Sequence, residues 1–454
     1  MNQTYSIRQK VKQLSKILLP ILITQLSLFG MNFFDTVMSG HSSPVDLAGV
    51  AIGSSIWTPI FTGLTGVLIA ITPIVAQLIG ARQQHKVSYQ IFQGILLSIA
   101  ISALVIVFGV LFLEQGLSLM TLEPKVTQVA FHYLIALSFG LAPILVYTVL
   151  RCFIDALGRT EVTMIITLIS LPINVALNYI FIFGKFGLPA MGGVGAGIAS
   201  ALTYWCLLFI ALGVIYYRQP FAGYQIFRVW HNISFATWFE QLRIGVPIGI
   251  AIFFETAIFA AVTLFMSAYS TVTIAGHQAA LNFSSLLYMV PMSMSLALTI
   301  AVGFEVGGRR YQDARQYSYL GIGMAVCMAL FCAVGLTIYR ETVASIYTTD
   351  PVVLEMTAQF LIYAIFFQLS DGIAAPIQGA LRGYKDVNVT SVVAFVSYWV
   401  LGLPIGIALA KMTTLGPYGY WIGLISGLAF GAIFLFFRLY RIQKTAVLEQ
   451  RLIA

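Results

Sequence analysis

Val246 to Met266 reads VPIGIAIFFETAIFAAVTLFM, twenty-one residues of which only Glu255 is charged. At about 1.5 Å per residue, such a helix crosses a hydrocarbon core of roughly 30 Å. Glu255 falls near its centre, where a carboxylate loses its hydration. It must be protonated, paired or exposed to a wet cavity. A neighbouring helix could hold it by a hydrogen bond; an ion or substrate site is the functional alternative.

The rest of the chain repeats this pattern. Eleven more apolar segments bring the set to 17–38, 47–74, 88–113, 127–150, 161–183, 193–216, 244–268, 275–303, 316–338, 353–378, 387–410 and 418–438. None alternates as a barrel strand does. Only 9% of the 454 residues are charged, against about 25% in soluble domains, and mean hydropathy is +0.92. The expected fold class is an all-α polytopic membrane protein with twelve transmembrane helices. The N-terminal apolar run, reaching Phe34, is longer than a signal-peptide core and reads as the first span. Pro20, Pro59, Pro73, Pro143, Pro172, Pro247, Pro291, Pro376 and Pro404 lie in or beside the spans and predict kinks.

With the N-terminus inside, twenty of the 24 Lys and Arg fall in inner loops and tails, from Arg8 to Arg451; Lys125, Lys185, Arg340 and Lys411 fall outside. This asymmetry predicts that both termini are cytoplasmic. It also accounts for the net charge of +8 without a nucleic-acid partner. Cys152, Cys206, Cys327 and Cys332 form no CxxC pair, so neither a zinc site nor a disulfide framework is expected.

The two halves repeat. At an offset of 227, Pro20 faces Pro247, Ala48-Gly49 faces Ala275-Gly276, and Thr72, Val75, Gly80 and Arg82 face Thr299, Val302, Gly307 and Arg309. Leu171-Pro172-Ile173 resembles Leu403-Pro404-Ile405 at an offset of 232. Six spans per half is an even number, so the halves are expected as two six-helix lobes in a parallel pseudo-two-fold repeat. The expected division is 1–216, a cytoplasmic amphipathic linker at 217–243 containing Trp230 and His231, and 244–454.

Three acids remain inside apolar sequence: Asp35, Glu255 and Asp371. Glu355 instead sits in the first turn of its span, where a negative charge suits the helix dipole. No Lys or Arg lies deep in a span by hydropathy, so the three acids lack an evident basic partner and call for a proton, a metal ion or a cationic substrate. Uncharged polar residues accompany them: Gln25 and Asn32 before Asp35, Asn174 and Asn178 one helical turn apart, Gln278 and Asn282 in span eight, and Gln368 before Asp371. Amide oxygens with a carboxylate suit a hard monovalent cation or a proton site; interhelical hydrogen bonding is the structural alternative. Aromatic rings and Met in a cavity would suit bulky organic cations, although most must face lipid or pack helices.

FFDTVMSG (33–40), VAQLIGA (75–81), LPINVALNYIFIFGKFG (171–187), GGVGAGIA (192–199), FFE (253–255), GHQAALNFSSL (276–286), LRGYKD (381–386) and SYWVLGLP (397–404) together resemble the MATE (multidrug and toxic compound extrusion) family, in its NorM-type bacterial branch. The resemblance runs in order from about residue 15 to 440. It implies a secondary transporter, not an enzyme, that exports organic, mostly cationic compounds in exchange for Na⁺ or H⁺ by alternating access. The family's coupling-cation positions fall on Asp35, Glu255 and Asp371, with Na⁺ a candidate at Glu255 and Asp371, and its span-five asparagines fall on Asn174 and Asn178. Some relatives have tyrosine four residues before the span-ten aspartate, where this chain has Phe367. No cofactor is implied, and a monomer in the bacterial cytoplasmic (inner) membrane is expected. A flippase for a lipid-linked or amphipathic substrate is the alternative, but pyrophosphate would need cations within the spans. GxxxxGK[ST] is absent, which argues against ATP drive.

Overall fold

The computed structural model describes residues 3–120 and 122–453; the side chains of Glu449 and Arg451 fall outside the described residues. Among the described residues there is no strand. Fifteen α-helices follow in chain order: α1 (Ile7–Ser42), α2 (Pro44–Leu68), α3 (Ile71–Gly80), α4 (His85–Ser118), α5 (Pro124–Ser138), α6 (Leu141–Ala156), α7 (Thr160–Phe183), α8 (Gly192–Tyr217), α9 (Phe235–Met266), α10 (Thr271–Gly307), α11 (Tyr311–Tyr347), α12 (Pro351–Gly383), α13 (Asn388–Phe395), α14 (Leu403–Met412) and α15 (Tyr418–Ile453). A π-helical turn, Val396–Gly402, joins α13 to α14.

Eleven helical stretches are long and apolar enough to span a membrane, α2–α3 and α13–α14 each counting once. The segment expected as one span over 127–150 is α5 and α6, bent by 48°. Gly140 lies at the break, and Pro143 in the first turn of α6 lacks the N–H that would continue the ladder. Counting that pair gives twelve. Six prolines lie inside α-helices: Pro20, Pro59, Pro172, Pro247, Pro291 and Pro376. Pro404 lies in the first turn of α14, directly after the π-turn, which adjusts the backbone where a proline cannot donate.

Local chemistry sets the helix starts. Ser43 caps α2 by accepting from the Asp46 amide at 3.0 Å, while its hydroxyl donates to Asp46 Oδ2 at 2.6 Å. Asp46 Oδ1 also accepts from the Gly193 amide at 2.8 Å, tying the start of α8 to the start of α2. Asp350 caps α12 through the amides of Val352 and Val353.

The repeat is written in the backbone. Arg82 and Arg309 adopt left-handed φ of 58° and 57°; Gly158 and Lys385 do so at 75° and 60°. Each pair is 227 residues apart, the offset that aligns the sequence. Each closes a helix C-terminus with an amide of the next residue reaching back into the last turn, as in Gln83 to Leu78 and Arg310 to Glu305.

Packing divides the chain into two compact units. One comprises Ile23–Leu78 and Gln83–Gly245; the other comprises the chain through Leu22, Ile79–Arg82, and the chain from Val246. These units differ from a division at residue 216 in three places: the first half of α1, Ile79–Arg82 and the 217–243 connection. The first half of α1 packs with the C-terminal unit because Leu14, Ile17, Leu18 and Ile21, at helical spacing, are buried with Met294, Leu298 and Ala301 of α10 and Ile377 and Leu381 of α12. Lys10 is buried there, paired with Asp313 at 2.8 Å. The 217–243 connection packs within the N-terminal unit: Gln93 of α4 donates to the Asn232 carbonyl at 2.7 Å and accepts from the Ser234 amide at 3.1 Å. Its Phe221 is buried against Phe153, while Trp230 remains 81% exposed, as suits an interfacial anchor.

Within the C-terminal unit, α15 carries Gly419, Gly423, Gly427 and Gly431, one per turn. At Gly427 a Cβ would run into the Ser397 carbonyl of the π-turn. Such a small-residue face lets backbones approach closely where apolar burial alone gives no drive. Many large apolar side chains, including Val110, Phe331 and Phe437, point outward. In a spanning chain this is the surface that lipid covers.

Candidate functional site

In each unit the acids of the apolar spans sit in a buried polar cluster. In the N-terminal unit it forms near the C-terminal ends of α1 and α7 and in the first half of α8. Asn174 and Asn178 lie one turn apart on one face of α7, so both amides meet Asp35 of α1. Asn178 Nδ2 donates to Asp35 Oδ1 at 2.6 Å and Asn174 Nδ2 to the same oxygen at 3.3 Å. Ser200 of α8 donates to Asp35 Oδ2 at 2.5 Å. Thr203, one turn on, accepts from Asn174 at 3.4 Å. All five side chains are buried.

The donors on Asp35 are uncharged, so the carboxylate is solvated by hydrogen bonds but not neutralised. Asn178 Oδ1 is buried and has no hydrogen-bond partner among the described residues. A cation or proton arriving at Asp35 therefore meets a negative charge and a spare amide oxygen. Tyr133 and Tyr204 are close enough to feel that charge, and Tyr133 shares a hydrogen bond with Ser54 at 3.2 Å.

Asp35, Asn174 and Asn178 are thus brought together as the sequence indicated. Gln25 is buried ten residues earlier on α1 and Asn32 is exposed; neither bonds to this cluster among the described residues. Ser200 and Thr203 were not singled out. Their only signal is a pair of hydroxyls in the small-residue run of α8.

In the C-terminal unit, Glu255 of α9 accepts a hydrogen bond from Gln378 Nε2 of α12 at 2.7 Å. Gln378 Oε1 in turn accepts from Arg382 Nη2 at 3.4 Å. Asp371, Gln378 and Arg382 stand 7 and 11 residues apart, one stripe of α12. Asp371 is 5% exposed, and its Oδ2 has no partner among the described residues. Gln368, one turn before, donates to the Leu287 carbonyl at 2.9 Å and leaves its own buried Oε1 without a partner. The charge of Glu255 acts on Asp371, and both act on Tyr288 and Tyr398.

Two sequence readings change here. Hydropathy left these acids without a basic partner and put Arg382 of LRGYKD in an inner loop. Arg382 instead closes α12, is 6% exposed, and exchanges electrostatic influence with Glu255. Phe367, where a tyrosine hydroxyl could have stood, is buried edge-on against Phe259, ring centroids 5.5 Å apart. Tyr288 and Tyr398 are the tyrosines on which Glu255 and Asp371 act.

Gln278 and Asn282 are exposed on α10. Gln278 donates to Thr263 at 3.5 Å and Asn282 accepts from Tyr347 at 3.0 Å; neither bonds to Glu255 or Asp371 among the described residues. No group of three or more His, Cys, Asp or Glu that could hold a metal occurs among the described residues. A cation at Glu255 and Asp371 would complete its shell from oxygens such as Gln368 Oε1. That donor set fits a hard monovalent ion.

The sequence profile of the family described as MatE matches residues 20–180 and again 247–408. The two matches begin 227 residues apart, as the internal repeat does. The chain is 58% identical over 444 residues to the probable multidrug resistance protein NorM of Bacillus subtilis (strain 168), covering 98% of each. It is 56% identical to the protein of the same name from Halalkalibacterium halodurans, covering 98% of this chain and 97% of that one. Among solved structures, the eukaryotic MATE transporter AtDTX14 shares the fold with a TM-score of 0.87 at 21% identity, covering 98% of this chain and 99% of that one. The Vibrio cholerae MATE transporter VcmN in its bent form does so with a TM-score of 0.84 at 19% identity, covering 97% and 98%. Two copies of one profile on the two halves, with near-full-length likeness to the NorM proteins, establish that this chain belongs to the MatE family.

Proposed function

We propose that this chain is a secondary active multidrug efflux transporter, exporting organic, mostly cationic compounds in exchange for Na⁺ or H⁺ by alternating access. It works as a monomer in the bacterial cytoplasmic membrane and needs no cofactor beyond the coupling ion. The observation that carries this reading is Asp35, a buried carboxylate whose hydrogen-bond partners are all neutral. Such a group can take either a proton or a cationic compound, and not both. The names of its NorM relatives support the same class of activity.

A flippase for a lipid-linked substrate would need free cations in the interior. Lys10 is committed to Asp313, and Arg382 sits in the field of Glu255, an acid that would repel a pyrophosphate, so the geometry favours cation exchange.

The test is transport by the purified chain in vesicles, with ethidium as the organic cation. An imposed inward Na⁺ or H⁺ gradient should drive ethidium out against its own gradient, and collapsing that gradient should stop it. Transport indifferent to both gradients would reject antiport. The orientation rests on the twenty-to-four split of basic residues. In a cysteine-free background, Trp230→Cys and Ser345→Cys should label from opposite sides of the membrane, the former from the cytoplasm; labelling from one side would reject it.

A further inference from the structure

Arg382 is under-engaged for a buried guanidinium. It has five N–H donors, yet among the described residues only Nη2 reaches an acceptor, Gln378 Oε1, at 3.4 Å, and Nε has no partner. The contrast lies within the same motif. Asp386, four residues on, is clamped by Arg438 through two bonds of 2.7 and 3.1 Å, the geometry of a fixed structural pair. Burying an arginine so loosely is costly unless its charge is used.

Acceptors without donors lie on the same stripe. Asp371 Oδ2 and Gln368 Oε1 are buried and unpartnered among the described residues, about three and four turns from Arg382 toward the start of α12. Helical side chains lean toward the N-terminus, so Arg382 points along the stripe toward Gln378 and these oxygens. Gln378 sits between, donating to Glu255 and accepting from Arg382. Two carboxylates and one guanidinium leave the cluster with one uncompensated negative charge, with Tyr288 and Tyr398 the other titratable groups beside it.

We infer that Arg382 is the internal counter-cation of this cluster, compensating Glu255 through Gln378 whenever the coupling cation is absent. The inference rests on the reading of Glu255 and Asp371 as the coupling-cation site. One monovalent cation then completes neutrality, and Arg382 resists the binding of a second. In exchange, the drug-loaded carrier changes conformation without its coupling cation. Arg382 keeps the emptied site from carrying two uncompensated buried charges through that step.

The experiment uses the full chain in vesicles, comparing wild type, Arg382→Gln, Arg382→Lys and Gln378→Met. The driving cation is whichever of Na⁺ or H⁺ drives wild-type ethidium export. Arg382→Gln should lower the half-saturating concentration of that cation about tenfold, because a nearby positive charge is gone. It should also slow ethidium–ethidium exchange, which proceeds without the cation, about tenfold or more. Arg382→Lys should restore both in large part. Gln378→Met, which removes the polar link to Glu255 while leaving the charge, should shift the half-saturation in the same direction but by less. Should Arg382→Gln fail to fold, Gln378→Met carries the test alone. Unchanged half-saturation in the folded variants, or losses that simply track a lower melting temperature, would overturn the inference. If Glu255→Gln and Asp371→Asn also leave cation dependence unchanged, the coupling-site reading fails with it; if they abolish it while Arg382→Gln and Gln378→Met do not shift it, only the role of Arg382 fails.

Discussion

Asp35→Asn will lose export of cationic compounds, by at least tenfold, while the protein folds as before. The reason lies in the hydrogen bonds. An asparagine at position 35 keeps one oxygen, which continues to accept from Asn178 and Asn174. Its Nδ2 would face Ser200, whose hydroxyl can turn from donor to acceptor. The network survives, so the stability change should stay within about 1 kcal/mol. The charge does not survive, and charge is what an organic cation would seek there. Exclusive occupancy is lost with it. In the wild type a proton on Asp35 removes the attraction for the drug, so binding of a cationic compound weakens as pH falls through the titration of that carboxyl. In the variant the same binding should be weak and flat with pH. Exclusive occupancy is what antiport requires, since each ligand must favour a different conformational state. The checks are ethidium binding across pH, vesicle export and thermal unfolding in detergent. Normal export by the variant, or failure only through unfolding, would remove Asp35 from the mechanism.

Much of this arrangement is readable in the chain before any coordinates. A carboxylate in an apolar run stands out because desolvation makes it costly, and Asn174 with Asn178 fall on one helical face by spacing alone. The repeat is legible as well, since Pro20 and Pro247, and Arg82 and Arg309, recur at an offset of 227, whereas the matching turns at Gly158 and Lys385 show only in the backbone. What is not legible follows from how hydropathy works. Arg382 counts as a loop residue because a charge at the end of an apolar run marks its boundary, and only packing shows that it is buried. Ser200 looks like any small residue at a helix interface. The break between α5 and α6 is invisible to a running average of hydropathy, although Gly140 and Pro143 mark it once the bend is known. The connection at 217–243 reads as amphipathic, but part of its anchoring to α4 runs through backbone groups of Asn232 and Ser234, which no side-chain pattern encodes.

Glu255→Gln and Asp371→Asn should each abolish gradient-driven export, about a hundredfold or more below wild type, without unfolding the chain. Glutamine at 255 keeps an oxygen for Gln378 Nε2. Asp371 Oδ2 has no partner among the described residues to lose, so neither change strands a polar group that was paired before. Each does remove half the negative charge that attracts the coupling cation. The energetics give a second readout. One positive charge moved inward is worth about 2.3 kcal/mol per 100 mV, roughly fiftyfold in a concentration ratio. Exchange of one inward cation for one outward monovalent drug moves no net charge, so the membrane potential then contributes nothing. The potential helps only if a further cation enters with the one that displaces the drug, and the carboxylates of the C-terminal unit are where it would bind. Wild-type export of ethidium should therefore respond to an imposed potential at fixed ion gradients. Any residual exchange in Glu255→Gln or Asp371→Asn, running through Asp35 alone, should not. Normal export by both variants, with voltage dependence intact, would refute the assignment of the second site.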